Sequence, residues 1–157
     1  MLEARGVIWP ETRVLDVFAG CGSLTFEAIS RGALAATVIE LDPAVADCLR
    51  ANAESLGCAD KLSCIQKDAA LFLRRAMPSP FQLVFMDPPY RKEYAPHILS
   101  LLQNGWLAQG ALIACEVERE LRLKPPASFI PLAERRFGQT MVFIYRFQDL
   151  CADAPDA

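Results

Sequence analysis

Strand-like and helix-like segments alternate along this chain from residue 13 to residue 117, and that alternation limits the fold more than any single motif. Arg13-Val14-Leu15-Asp16-Val17-Phe18 reads as a short buried strand. Leu24 to Arg31 reads as a helix closed by Gly32. Ala36-Thr37-Val38-Ile39-Glu40-Leu41 is the second strand. Asp42 then suits the N-cap and Pro43 the first position of a helix that carries Val45, Cys48, Leu49, Asn52 and Leu56 at helical spacing and closes at Gly57. Leu62 to Gln66 is the third strand, Ala69 to Ala76 a short helix stopped before Pro78, and Phe81 to Met86 the fourth strand. Pro96 to Gln103 reads as a helix and Ala111 to Val117 as the fifth strand. Beyond the Pro125-Pro126 loop, Ile130–Phe137 and Met141–Phe147 read as two strands joined at Gly138, a hairpin.

Five β-α repeats with crossover helices predict an α/β fold: a doubly wound, Rossmann-like, mostly parallel seven-stranded sheet with an antiparallel C-terminal hairpin strand. At 157 residues the chain has the size of one domain, expected over residues 1–148, with a polar and flexible tail over 149–157. Apolar residues at 53% against charged residues at 22% place it among globular chains rather than disordered ones. No apolar run is long enough to span a bilayer, and Met1-Leu2-Glu3-Ala4-Arg5-Gly6 lacks the basic-then-apolar order of a secretion signal; a cytoplasmic protein with no membrane partner is expected.

The six cysteines, at 21, 48, 58, 64, 115 and 151, form no C-x-x-C pair, and His97 is the single histidine, so neither zinc nor any other metal is expected. Cys48, Cys64 and Cys115 fall in apolar periodic segments and read as small hydrophobes. Trp9 and Trp106 read as packing residues, and His97 as a surface or structural residue of the helix it sits on. Net charge is −3 and the isoelectric point is near 5.2, which argues against strong autonomous nucleic-acid binding. A local basic rim is compatible with that balance: Arg91, Lys92, Arg119, Arg122 and Lys124 could meet phosphates, though each alone reads as solvated charge.

In such a sheet ligands bind beyond the carboxyl ends of the strands. Four polar groups fall there: the Phe18–Gly22 turn, Glu40, Asp68 and Asp87. In Asp16-Val17-Phe18-Ala19-Gly20-Cys21-Gly22 the two glycines permit a tight turn and close approach of a ligand. The third glycine of a dinucleotide fingerprint is replaced by Thr25, which disfavours a pyrophosphate and favours a smaller ligand such as an amino-acid-bearing nucleoside. Taken alone, the turn is equally a plain β-α connection. Glu40, eighteen residues after Gly22, could accept both ribose hydroxyls; otherwise it is a strand-end charge. Asp68 could accept from an adenine amine or cap the helix from Ala69, and both can hold. Asp87-Pro88-Pro89-Tyr90 is more specific. The Asp87 carboxylate and the Pro88 carbonyl can accept both hydrogens of an –NH₂ group, the prolines stiffen the backbone, and Tyr90 can stack on a base for roughly 1–3 kcal/mol.

Several phrases resemble class I S-adenosylmethionine-dependent methyltransferases, and more narrowly the bacterial enzymes that methylate guanine N2 in 16S ribosomal RNA (the RsmD type). They are Val14 to Leu24, Phe26-Glu27-Ala28-Ile29-Ser30-Arg31-Gly32-Ala33, Val38-Ile39-Glu40-Leu41-Asp42, Asp87-Pro88-Pro89-Tyr90 and Asn104-Gly105-Trp106-Leu107, in family order over roughly residues 7 to 147. The resemblance implies S-adenosylmethionine as cofactor. Asp16, Ala19, Gly20 and Gly22 would lie at its methionine end, Glu40 at the ribose, and Asp68 with Ala69 at the adenine, with Phe18 and Leu41 also binding the cofactor. It implies that Asp87, Pro88, Pro89 and Tyr90 hold the target amine, that the partner is ribosomal RNA of the small-subunit particle, and that the protein acts as a monomer without a metal. Family members open with a basic segment rich in arginine and threonine that helps close the cofactor site and contact RNA. The sequence begins after it, and weak RNA affinity is the expectation. The tetrapeptide alone would also fit adenine-N6 or cytosine-N4 methylation. A non-catalytic RNA-binding or assembly module on the same fold, and a nicotinamide oxidoreductase, are further alternatives; the missing third glycine counts against the last.

Overall fold

The computed structural model describes residues 2–75, 79–89, 94–121 and 123–150. Seven strands form one sheet: β1 (Arg13–Val17), β2 (Ala35–Glu40), β3 (Leu62–Gln66), β4 (Phe81–Met86), β5 (Leu107–Glu118), β6 (Phe129–Phe137) and β7 (Thr140–Phe147). Their spatial order is β3-β2-β1-β4-β5-β7-β6. The first five run parallel, while β7 lies antiparallel to both β5 and β6. The doubly wound sheet with its antiparallel hairpin strand is thus the one the alternation predicts.

Four helices cross over between the parallel strands: α1 (Ser23–Ser30), α2 (Pro43–Ser55), α3 (Ala69–Leu73) and α4 (Tyr94–Leu102). Side chains alternate across each strand, so the sheet buries two separate cores. Val14, Leu83, Phe85 and Leu112 face α1 and α2, packing with Ala28, Ile29 and Ala53. Leu15, Val17, Ile39, Val84, Met86, Ile113 and Cys115 face α3 and α4, packing with Leu73, Ile98, Leu99 and Leu102. Trp106 fills the second core: it is fully buried, lies parallel to Phe81 with ring centroids 6.2 Å apart, and donates its indole N–H to the Leu73 carbonyl at 2.9 Å. Trp9 is half-buried against the first core and donates to Glu3 at 2.8 Å.

Local chemistry sets the helix ends. Asp42 accepts from the Ala44 and Val45 amides and Pro43 takes the first position of α2. Gly32, at φ +99°, closes α1: its N–H bonds the Ile29 carbonyl and the Ala33 N–H bonds that of Ala28, a Schellman arrangement. The inward stripe of α2 differs from the sequence expectation. Ala46, Leu49 and Ala53 are buried, whereas Cys48 and Leu56 are exposed. Two alanines let the helix approach the sheet closely, and the bulkier residues read as core turn outward. Of the cysteines expected to pack as hydrophobes, Cys115 is buried and Cys64 half-buried.

Two elements start earlier than the sequence suggests. β5 begins at Leu107 because Phe81 pairs with Leu107, and the register then shifts so that Leu83 meets Leu112. Gln109-Gly110 lies within the strand, which takes up the register shift as an irregularity. α4 begins at Tyr94, which places Pro96 in the first turn, where a missing N–H costs nothing. His97 is exposed on this helix. The Asp149 amide donates to Gln109 at 2.8 Å, so the chain is tied down as far as residue 149. Residues 151–157 of the expected tail, Cys151 among them, lie outside the described residues.

Candidate active site

From β1 the chain winds outward through β2 to β3; from β4 it winds the other way to β5. The reversal leaves a crevice beyond the carboxyl ends of β1 and β4. A cavity of about 370 Å³ opens there. Phe18, Ile39, Glu40 and Leu41 line it, together with Lys67, Asp68 and Ala69. Asp87, Pro89 and Tyr94 complete it.

The turn from β1 to α1 is held unusually. Phe18 has φ +72°, a left-handed conformation that is rare for an aromatic residue. Its amide donates to the Ile39 carbonyl at 3.1 Å, and its ring lies 5.4 Å from that of Tyr94. Glu40 ties the turn to the end of β2: one carboxylate oxygen accepts the Gly20 amide at 3.1 Å and the other accepts the Asp42 amide at 2.9 Å. Gly22 is required by packing. It sits at φ +81°, and a Cβ there would lie 2.5 Å from Leu49 Cδ2 and 2.8 Å from Phe26 Cε2. A Cβ at Gly20, by contrast, would meet nothing within 4 Å.

Beneath the turn lies Asp16, only 4% exposed. Thr25 donates its hydroxyl to the Asp16 carboxylate at 2.6 Å. Burial pushes the Asp16 carboxyl up to about 6; the Thr25 hydrogen bond opposes the rise, and the charges of Asp87 and Glu40 add to it. Asp68 caps α3 by accepting the Leu71 amide at 2.9 Å, and its second oxygen accepts the Tyr94 hydroxyl at 3.2 Å. The capping role weighed for it is present, with the other oxygen directed at the Tyr94 wall.

Asp87 follows β4 directly and is exposed, yet the surrounding walls remove enough water to raise its carboxyl above the ordinary aspartate value. Its charge raises the carboxyls of Asp16 and Glu116 and the thiol of Cys115. Pro88 is buried, and Pro89 lines the cavity. Tyr90, Arg91, Lys92 and Arg122 lie outside the described residues; Arg119 and Lys124 are exposed.

One cavity thus brings together Phe18, Glu40, Leu41, Asp68, Ala69, Asp87 and Pro89. Asp16 and Gly22 lie buried behind it, and Ala19 and Gly20 belong to the turn that Glu40 pins. As contributors to the site, Ile39, Lys67, Tyr94 and Thr25 escaped the sequence reading. Lys67 directly follows β3, next to Asp68, and the strand-end rule would have found it. Tyr94 precedes the periodic part of α4 and gave no signal. Thr25 was read only as a missing glycine, although nine residues separate it from the aspartate it bonds.

The family model described as conserved hypothetical protein 95 matches residues 1–146. The ribosomal RNA small subunit methyltransferase D of Haemophilus influenzae is 37% identical over 139 residues, 87% of this chain and 72% of that protein. Its namesake from Escherichia coli K12 is 38% identical over 138 residues, 87% of this chain and 69% of that protein. Among solved structures, a proposed methylase from Haemophilus influenzae superposes with a TM-score of 0.85 at 36% identity, covering 90% of this chain and 89% of that one. An RNA methyltransferase from Salinibacter ruber in complex with S-adenosyl-L-homocysteine shares the fold, with a TM-score of 0.72 at 19% identity over 99% of this chain and 93% of that one. Sequence and fold agree over nearly the whole length, and the chain belongs to the ribosomal RNA small subunit methyltransferase D family.

Proposed function

We propose that this protein transfers the methyl group of S-adenosylmethionine to the exocyclic N2 amine of a guanine in 16S ribosomal RNA, within the small-subunit particle. The observation that carries the proposal is the pairing, across one crevice at the strand-order reversal, of a pinned ribose acceptor, Glu40, with an amine acceptor, Asp87.

The residues present suit the cofactor. The cavity volume falls in the range of small-ligand sites. Glu40 is fixed by two backbone amides, and each carboxylate oxygen keeps acceptor capacity for a ribose hydroxyl. Leu41, 64% exposed, and Ala69 offer apolar surface to the adenine, with Asp68 beside them. The buried Asp16 supplies negative charge behind the turn, where the amino-acid end of the ligand would lie. Bound S-adenosylmethionine contributes a methyl group on a sulfonium, a leaving group that needs no covalent help from the enzyme.

The chain's own task is to present the nucleophile. The base must be unpaired or extruded to reach the crevice. Asp87 and the Pro88 carbonyl then accept the two hydrogens of the N2 amine, which orients the nitrogen and localises its lone pair. Holding the reacting atoms in line contributes on the order of 7 kcal/mol or more. Positive charge growing on N2 is met by the Asp87 carboxylate, and the N2 proton passes to that carboxylate or to water. The raised proton affinity of Asp87 favours the first route.

The test is methyl transfer from labelled cofactor to small subunits from a strain lacking the modification, followed by nucleoside analysis. Label in N2-methylguanosine is the expected outcome. Label in N6-methyladenosine would move the substrate to adenine, and no label would favour a non-catalytic role.

A further inference from the structure

Asp87 alone does not choose a base, because adenine, cytosine and guanine all carry an exocyclic amine. A second acid stands beside it. β4 and β5 run parallel with Phe85 opposite Ala114 and Met86 opposite Cys115, which sets Asp87 and Glu116 next to one another at the carboxyl ends. Adjacent strands lie about 4.8 Å apart. Strand alternation also assigns the face. Met86, Ile113, Cys115 and Val117 bury in the α3–α4 core, so Glu116 projects with Leu112 and Ala114 from the opposite face. Asp87 follows Phe85 in the same parity, and Asp16, paired with Phe85, shares that face.

Glu116 is half-buried, and burial together with the Asp87 charge raises its carboxyl, while a hydrogen bond with Thr140 on β7 opposes the rise. Two neighbouring carboxylates repel, so the fold gains nothing from this pairing. A ligand presenting two adjacent N–H donors would relieve it. Guanine does so: N1–H stands next to the N2 amine on its Watson–Crick edge. Adenine and cytosine place a lone pair, at N1 or N3, beside their amines.

Building on the guanine-N2 reading, we infer that Glu116 is the residue that selects guanine, accepting its N1–H while Asp87 accepts from the N2 amine. A base with a lone pair at that position would face a carboxylate with no proton to share. Sites built to receive a donor can reject its absence by factors of roughly 10⁴. Glutamine at 116 would offer an N–H and lose the distinction.

The experiment compares guanine with 2-aminopurine, which keeps the 2-amine but carries a lone pair at N1. The guanosine methylated by the unaltered protein is mapped first, then replaced by 2-aminopurine in ligated 16S RNA assembled into small subunits. The ratio of kcat/KM for the two bases is measured for the unaltered protein, Glu116→Gln and Glu116→Ala, with cofactor affinity and melting temperature alongside. A ratio that favours guanine strongly in the unaltered protein and falls at least tenfold in Glu116→Gln, with Glu116→Ala falling in the same direction, is expected. A ratio that shifts less than threefold, or variants that lose both substrates alike, would overturn the assignment. Absence of guanine methylation by the unaltered protein would instead overturn the reading beneath it.

Discussion

Replacing Asp16 with asparagine separates the stability of the ligand-free fold from its capacity to hold a cation. The side chain is 4% exposed and receives the Thr25 hydroxyl at 2.6 Å; asparagine keeps the shape and an acceptor for that bond. Burial places the carboxyl at about 6 against an ordinary 3.8. At 1.36 kcal/mol per pH unit, that gap corresponds to about 3 kcal/mol. The folded state binds this proton more tightly than the unfolded chain does. The stabilisation from Asp16 is therefore full below about pH 3.8 and lost as pH climbs through about 6, above which the fold carries a buried charge. Asp16→Asn should then exceed the unaltered protein by up to about 3 kcal/mol at pH 8, or roughly 6–12 °C in Tm for a chain of this size, and should converge with it near pH 4. Urea and thermal denaturation from pH 4 to pH 8 at fixed salt would measure this. The other shifted carboxyls are common to both proteins and largely cancel in the difference. An offset that stays constant across the range would refute the reasoning. The same substitution should weaken S-adenosylmethionine binding at pH 8 by tenfold or more in calorimetry, because it removes the charge behind the turn. A variant that gains stability yet binds the cofactor unchanged would place Asp16 outside the site.

Three further substitutions separate the remaining roles. Glu40→Ala leaves the Gly20 and Asp42 amides without their acceptor and should lower cofactor affinity at least tenfold, with a stability loss of about 1–3 kcal/mol; unchanged affinity would remove Glu40 from the site. Asp87→Ala should abolish methyl transfer in single-turnover assays while cofactor binding stays nearly intact, and near-normal turnover would end the role given to it. Gly22→Ala forces a Cβ to 2.5 Å from Leu49 at a positive φ and should destabilise by about 2–4 kcal/mol in urea titrations; a loss under 1 kcal/mol would show that α1 and α2 can separate at no cost.

Much of the fold was legible because its elements announce themselves locally. Leu62–Gln66 and Phe81–Met86 are continuous apolar or alternating runs between turn residues, and the structure keeps those bounds. Asp42-Pro43 and Gly32 are end signals whose hydrogen bonds are local, so sequence alone carries them. What failed depended on distance in space. Cys48 and Leu49 are both apolar neighbours on α2, and only the position of the sheet decides that Leu49 turns inward. The site divides in the same way. Glu40, Asp68 and Asp87 could be read because strand ends in a doubly wound sheet converge by rule. Thr25 bonding Asp16, Tyr94 bonding Asp68 and Glu116 beside Asp87 are pairs made by register and crossover, and no spacing along the chain encodes them.

The register also explains how an acidic chain can serve an RNA substrate. Glu40, Asp16, Asp87 and Glu116 succeed one another across β2, β1, β4 and β5 near the carboxyl ends of those strands. Burial chiefly raises the carboxyls of Asp16 and Glu116, and the neighbouring acid charges add to the rise. A row of this sign repels phosphate but attracts a sulfonium, an ammonium and the donor edge of a guanine, which are the groups the proposed reaction would bring to the crevice. Positive charge stands farther along the same end of the sheet, where Arg119, Arg135 and Arg136 are exposed around the β6–β7 hairpin. Glu118, Glu120 and Glu134 stand among these arginines, so that end of the sheet carries charges of both signs.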